Sequence, residues 1–319
     1  MSSAAQYDSY FQPVEGAYTQ LDQLLALRFA ARELQLTPRR RSQSTQAGSA
    51  RTRFRGRGME FEEVRLYQAG DDIRSIDWRV TARTQVAHTK LYREERERPV
   101  MLMLDQGSSM FFGSRHCFKS VLAAHTAVLL GWAALAQNDR VGGLIFNDRS
   151  ERDIRPKRSR HTLLTLLQVI QQFNSELQSP LSQPDAVPLQ QRLADLRRIS
   201  KPGSAVMIIS DLQGWNDACT EQLHQLGRHA DVSLLWVTDP LEQQLPQAMT
   251  LTVTNGMERR ALNTADANLA GQFHQDFLQR QSRLQQAASE AGAWLLPLTT
   301  AQSPLAQLLP LFGKRPCRR

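Results

Sequence analysis

The feature that most constrains this chain is an alternation of strand-length apolar runs with helix-length segments. "VMLMLD" (100–105), "RVGGLIFN" (140–147), "SAVMIISD" (204–211) and "DVSLLWVTD" (231–239) are near-continuous apolar runs. Runs of that kind fit strands buried on both faces rather than the alternating pattern of a sheet with one wet face. Between them lie helical patterns: "FKSVLAAHTAVLLGWAALAQ" (118–137), "RHTLLTLLQVIQQF" (160–173), "PLQQRLADLRRI" (188–199) and "NDACTEQLHQLGRHA" (216–230). "ANLAGQFHQDFLQRQSRLQQAASEAG" (267–292) is a further helix and "AWLLPLTT" (293–300) a last strand, with "RSERDIRP" (149–156) as an edge strand. Strands and helices in this order predict a mostly parallel sheet with right-handed crossovers. The expected fold class is therefore α/β, a Rossmann-like, doubly wound sheet.

The rest of the chain divides around that domain, expected over 99–312. Residues 1–38 carry a helical pattern ("YTQLDQLLALRFAARELQL", 18–36) that ends at Pro38. Residues 39–58 form a basic linker, 59–98 a small β-rich segment, and 313–319 a basic tail. Short β-like pieces are expected around Val64–Tyr67, Asp77–Arg79 and Val86–Tyr92, and a hairpin from "TLTVTN" (250–255) and "MERRALN" (257–263). Net charge is +8. Seven arginines between Arg39 and Arg57 and four basic residues in the tail outweigh that excess, so the remaining body is slightly acidic. The linker reads as a solvated segment or a contact for an acidic partner; no zinc or aromatic-interleaved motif supports nucleic acid.

Several classes fall away. Mean hydropathy is −0.43, and the longest apolar stretch, within 121–136, falls short of the ~20 residues a span needs. It reads as a buried core helix, with His125 a satisfied core residue, and no membrane span is expected. The N-terminus has no signal-peptide pattern. Cys117, Cys219 and Cys317 have no paired spacing, which fits reduced thiols and a cytoplasmic location. There is no phosphate-binding glycine loop and no H-E-x-x-H. "GDDIRSIDW" groups Asp71, Asp72 and Asp77 with Arg74 and Arg79, read as a local Arg–Asp network holding a turn. "REERER" (93–98) reads as a solvated charge run.

Chemistry is expected where parallel strands end, because ligands bind beyond the carboxyl ends of such sheets. Two strands end alike, at Asp105 and at Asp211. Each aspartate could simply cap the helix after its strand. Together, with nearby hydroxyls, they make an oxygen-only site suited to Mg2+ or Mn2+.

"RGRGMEFEEVRLYQAGDDIRSIDWRVTAR", "KLYREERERPVMLMLDQGSSM" and "VTDPLEQQLP", with Asp239, Pro240 and Glu242, closely resemble the bacterial family known as domain of unknown function 58. That family is similar to von Willebrand factor type A domains, which agrees with the parallel α/β reading. The resemblance implies a metal-ion-dependent adhesion site opening with D-x-S-x-S. Asp105 and Ser109 fit that motif, Gly107 replaces its first Ser, Asp211 fits the later Asp, and Thr162 is the candidate for the intervening Thr. It further implies a non-enzymatic protein-interaction module, an adaptor between a MoxR-type AAA+ ATPase and a client protein. Gly107 leaves the metal weak or absent. Two alternatives stand beside this reading: a metal-dependent hydrolase using Asp105 and Asp211 with Asp72 or Asp77, and nucleic-acid binding through the arginine linker.

Overall fold

The computed structural model describes residues 8–36, 59–68, 71–94, 97–178, 187–246, 249–254 and 259–314. The chain forms two compact units, one of Met1–Pro38 with Arg98–Arg319, the other of Arg39–Glu97. The basic linker expected over 39–58 and most of the basic tail lie outside the described residues.

The expected helix over 18–36 is instead a short helix, α1 (Leu21–Ala26), a turn, and a 3-10 turn at Ala30–Glu33. Leu24, Leu27, Ala30, Ala31, Leu34 and Leu36 are all buried. A straight helix would bring Leu24, Leu27, Ala30, Ala31 and Leu34 to one face but carry Leu36 round to the other. Leu34 also bridges to Gly313, and the Gln35 amide donates to the Phe312 carbonyl. Tertiary burial overrides helix propensity here.

The smaller unit pairs β1 (Met59–Leu66) with β2 (His88–Glu94) in antiparallel fashion. The β-like piece expected at Asp77–Arg79 is instead the start of a helix, α2 (Trp78–Thr84). Asp77 caps it, accepting from the amides of Arg79 (3.0 Å) and Val80 (3.2 Å), a use of Asp that competes with strand. Asp72 caps the turn Ile73–Ser75 by accepting from the Arg74 amide, and Asp71 pairs with Arg65 at 2.7 Å. The expected Arg–Asp network is thus a set of backbone caps plus two ion pairs among the described residues, Arg65 with Asp71 and Lys90 with Asp77 at 3.6 Å. Its carboxylates have structural work.

The larger unit carries the main sheet. Its strands are β3 (Pro99–Asp105), β4 (Arg140–Phe146), β5 (Glu151–Lys157), β6 (Ala205–Ser210), β7 (Asp231–Thr238) and β10 (Trp294–Thr299), with β8 (Thr250–Thr254) and β9 (Arg259–Asn263) forming a separate hairpin. The sheet order is β10-β7-β6-β3-β4-β5. All neighbours are parallel except β5, which runs antiparallel to β4 at the edge. This is the expected doubly wound, mostly parallel α/β architecture.

Strand alternation sends successive side chains to opposite faces. Val100, Leu102 and Leu104 face one core with α3 (Lys119–Ala136), α4 (Arg160–Glu176), α9 (Pro304–Phe312) and the N-terminal segment. Met101 and Met103 face the other, with α5 (Leu189–Ile199), α6 (Asp217–Gly227) and α8 (Ala267–Glu290). A one-turn helix, α7 (Pro240–Gln243), comes after β7. Among the described residues α3 alone is long and apolar enough to cross a membrane, yet Lys119 through Ala134 are buried inside the protein.

His125 sits in that core, but neither ring nitrogen has a hydrogen-bond partner among the described residues. It is therefore buried without being satisfied. Burial pushes its pKa down to about 4, so the ring is neutral.

Gly142 marks where β5 comes closest to β4. A β-carbon there would lie 2.3 Å from the Ile154 carbonyl oxygen and 2.6 Å from the Pro156 nitrogen. Both are backbone atoms, so no side chain can swing aside. Gly142→Ala is expected to destabilise the chain by about 1–3 kcal/mol in urea unfolding followed by circular dichroism. An unchanged midpoint would contradict this close approach.

Candidate functional site

The register of the sheet places the strand-end groups. Leu104 pairs with Ile209, so one step further Asp105 comes opposite Ser210, and Asp211 lies just beyond. The Ser210 hydroxyl donates to Asp105 Oδ2 at 2.6 Å, and the Gly107 amide donates to Asp105 Oδ1 at 2.8 Å. Asp105 is nearly fully buried. Burial raises its carboxyl first, the charges of Asp211 and Asp148 add to that, and the two hydrogen bonds oppose it; the net result is a pKa of about 7.

Asp211 has a different partner. Its Oδ2 lies 2.8 Å from the ammonium Nζ of Lys119, the first residue of α3, and its Oδ1 accepts from the Gln213 amide at 3.0 Å. The same ammonium lies 2.6 Å from Glu242 Oε1. Lys119 is 2 % exposed. Burial works against its charge, but Asp211 and Glu242 outweigh burial and raise its pKa.

Glu242 is itself held in place. In the capping box of α7 its Oε2 accepts from the Asp239 amide at 2.9 Å, while Asp239 Oδ1 accepts from the Leu241 amide. Asp239 Oδ2 takes the Ser114 amide (2.9 Å) and the Thr300 hydroxyl (2.6 Å). Burial acts to raise the Asp239 carboxyl, but those hydrogen bonds outweigh it and hold it below the ordinary range. A continuous polar network therefore runs along the carboxyl edge, from the loop after β3 to the ends of β6, β7 and β10.

The turn after β6 is strained. Leu212 has φ +54° with its side chain fully buried, a conformation that costs a non-glycine residue about 1–2 kcal/mol. Its amide donates to Ser210 Oγ, and the Asp211 carbonyl accepts from Trp236 Nε1 and from the Arg280 guanidinium. Strain held this firmly clusters at functional sites.

Asp105, Asp211 and Ser109 thus share one edge, with Ser109 half-buried in the 3-10 turn Ser108–Met110. Thr162 does not join them. Because β5 runs antiparallel to β4, α4 starts at the amino edge of the parallel strands. Thr162 lies in its first turn, whereas Asn174 and Glu176 near its far end reach the carboxyl edge, bonding Gln106 and Asn147. An antiparallel edge strand moves the expected ligand to the wrong side of the sheet.

Sequence reasoning missed Lys119 and Asp148. Lys119 was legible as the one charge inside an apolar helix, since a charge buried there must find a partner. Asp148 lies just past the end of β4, much as Asp105 ends β3; its Oδ2 accepts from the Ser108 amide at 2.7 Å.

The donor set does not fit the divalent ion that the resemblance implies. All four oxygens of Asp105 and Asp211 already accept hydrogen bonds. An ion bound by Asp211 would sit near the Lys119 ammonium, with a repulsion on the order of 8 kcal/mol at 4 Å and an effective dielectric of 20. A serine at position 107 would crowd the carboxylates around it, because a β-carbon there would lie 2.9 Å from Asp148 Oδ1 and 3.0 Å from Asp105 Oδ1, so the Asp148 side chain would have to shift.

The Asp105 carboxyl stays protonated in the folded chain up to about pH 7 but ionises near 3.8 when unfolded. Its favourable contribution is full below pH 4 and is lost as pH rises toward 7. Asp105→Asn removes that loss, so its stability relative to wild type should rise by more than about 1 kcal/mol between pH 5 and pH 8 in chemical denaturation. A pH-independent difference would contradict the buried, raised carboxyl.

Uncharacterized proteins of Mycobacterium bovis and Mycobacterium tuberculosis are 28% identical over 295 residues, covering 90% of this chain and 89% of each relative. Among solved structures, a conserved hypothetical protein, BatB, from Bacteroides thetaiotaomicron has 16% identity and a TM-score of 0.38, covering 66% of this chain and 93% of that one. An aerotolerance-related membrane protein from Bacteroides fragilis, carrying multiple mutations to serines, has 15% identity and a TM-score of 0.41, covering 66% and 94%. Residues 63–283 match the family described as Protein of unknown function DUF58, and the chain belongs to that family.

Proposed function

We propose that this chain is a non-enzymatic protein-interaction module whose docking surface is the carboxyl edge of the main sheet. The observation that carries this reading is the loop after β3. Its backbone is fixed at Ser108 by Asp148, at Ser114 by Asp239, and at Phe112, whose carbonyl accepts from the Lys119 amide at 2.7 Å. Yet Phe112 is 39 % exposed, and Ser114, Arg115 and His116 are exposed beside it. A loop held rigid while presenting an aromatic and a guanidinium is pre-organised for recognition, which lowers the ordering cost of binding. Phe112 and Arg115 are residue types that dominate interface energies.

Enzymatic chemistry finds less support. Asp105 and Asp211 are engaged by internal donors, and Asp72 and Asp77 serve as caps in the smaller unit. The family resemblance supplies the partner: a MoxR-type AAA+ ATPase in the cytoplasm, with this chain as the adaptor that presents a client protein to it. The arginine-rich linker that could contact nucleic acid or an acidic partner lies outside the described residues.

The double variant F112A/R115E changes two side chains at the surface; because the Phe112 ring also lies 5.9 Å from the Lys119 ammonium, its thermal midpoint should fall while circular dichroism still shows a folded chain. Its affinity for the purified ATPase encoded by the same genome should fall at least about tenfold in calorimetry. No binding by wild type, with or without ATP, would overturn the adaptor reading; equal binding by the double variant would move the docking surface elsewhere.

A further inference from the structure

We infer that the Lys119 ammonium is the permanent cation of this edge, standing where a divalent metal would otherwise gather the strand-end carboxylates, so that the site works without metal. Two carboxylates from two different strand ends converge on one point: Asp211 after β6 and Glu242 after β7. That point is filled by Nζ, 2.8 Å from Asp211 Oδ2 and 2.6 Å from Glu242 Oε1. Magnesium binds through one or two carboxylates and retained waters, so this pair of oxygens is the kind of arrangement a metal would use. The lysine reaches it from the head of a buried helix that cannot move without disturbing the core.

The loop after β3 is built to match. Where a metal-bound loop would offer a hydroxyl at position 107, this chain has glycine, and the space its β-carbon would need is taken by Asp148 and Asp105 oxygens. Asp148 holds the Ser108 amide instead. The loop is therefore organised by carboxylate–amide bonds and the edge by an ammonium. The ammonium is covered by the fold and shared by two carboxylates, so its role is to hold the strand ends together from inside. Fixed charge of this kind does not vary with the metal supply.

This inference deepens the docking reading, but every arm of its test is measured on the isolated full chain, so a failed partner assay leaves it standing. After chelation, Mn2+ binding is monitored by electron paramagnetic resonance, and thermal midpoints are compared with Mg2+, Mn2+ and EDTA. Wild type should take up no Mn2+ specifically and should show one midpoint in all three. Lys119→Ala leaves Asp211 and Glu242 facing an empty point; it should bind Mn2+ saturably and gain thermal stability from it, and K119A/D211N should lose both effects. Saturable Mn2+ binding by wild type that disappears in Asp211→Asn would overturn the inference, as would a folded Lys119→Ala that takes up no Mn2+. Should Lys119→Ala not fold, the wild-type and Asp211→Asn measurements decide the matter alone.

Discussion

The carboxyl edge of the main sheet depends on one ammonium group. Lys119 is almost fully buried at the head of α3 and is shared by Asp211 and Glu242. A buried charge is tolerable only when paired and hydrogen-bonded. Removing one partner of such a pair costs about 3–5 kcal/mol, because the remaining charge is left uncompensated. The positions of the β6 and β7 ends, and of the head of α3, are therefore tied to a single electrostatic contact. Asp239 extends the tie to β10 through Thr300 and to the β3 loop through Ser114.

The second carboxylate is governed first by burial and then by the neighbouring Asp211 charge. Asp105 sits beside Asp211 and Asp148 in a buried setting with no cation of its own among the described residues. Its carboxyl responds by holding a proton to about pH 7. Two strand-end aspartates that look equivalent thus have opposite electrostatics: one paired with a lysine, the other kept neutral by burial and its neighbours. The edge is settled by internal charges before any partner arrives, which suits a rigid recognition surface better than a site that must recruit an ion.

Much of the fold was legible in the residues. Four apolar runs with helices between them specify a parallel sheet covered on both faces, and alternation along "VMLMLD" assigns its side chains to two cores. Pattern alone failed where long-range packing decides. The single helix expected over 18–36 bends because its apolar residues must reach α3 and α9, and Asp77 starts a helix because its side chain finds two amides. Asp105 and Asp211 were readable as strand-end groups, but their roles were not, because a linear pattern does not say which cation lies between them. Thr162 shows the same limit: one strand reversing direction carries it to the far edge. The best unread signal was Lys119, a lone charge at the head of an apolar helix; Glu242 was read as part of a family motif but not as its partner.

The most direct test reads the ammonium itself. Nitrogen-15 NMR of the full chain, with Lys119 assigned through Lys119→Arg, should show a slowly exchanging Nζ ammonium signal. Its titration should lie above the ordinary lysine value of 10.5, and its shift should be indifferent to added Mg2+. A Lys119 signal that exchanges as fast as a surface lysine, titrates at or below that value, or moves saturably with Mg2+ would contradict the account.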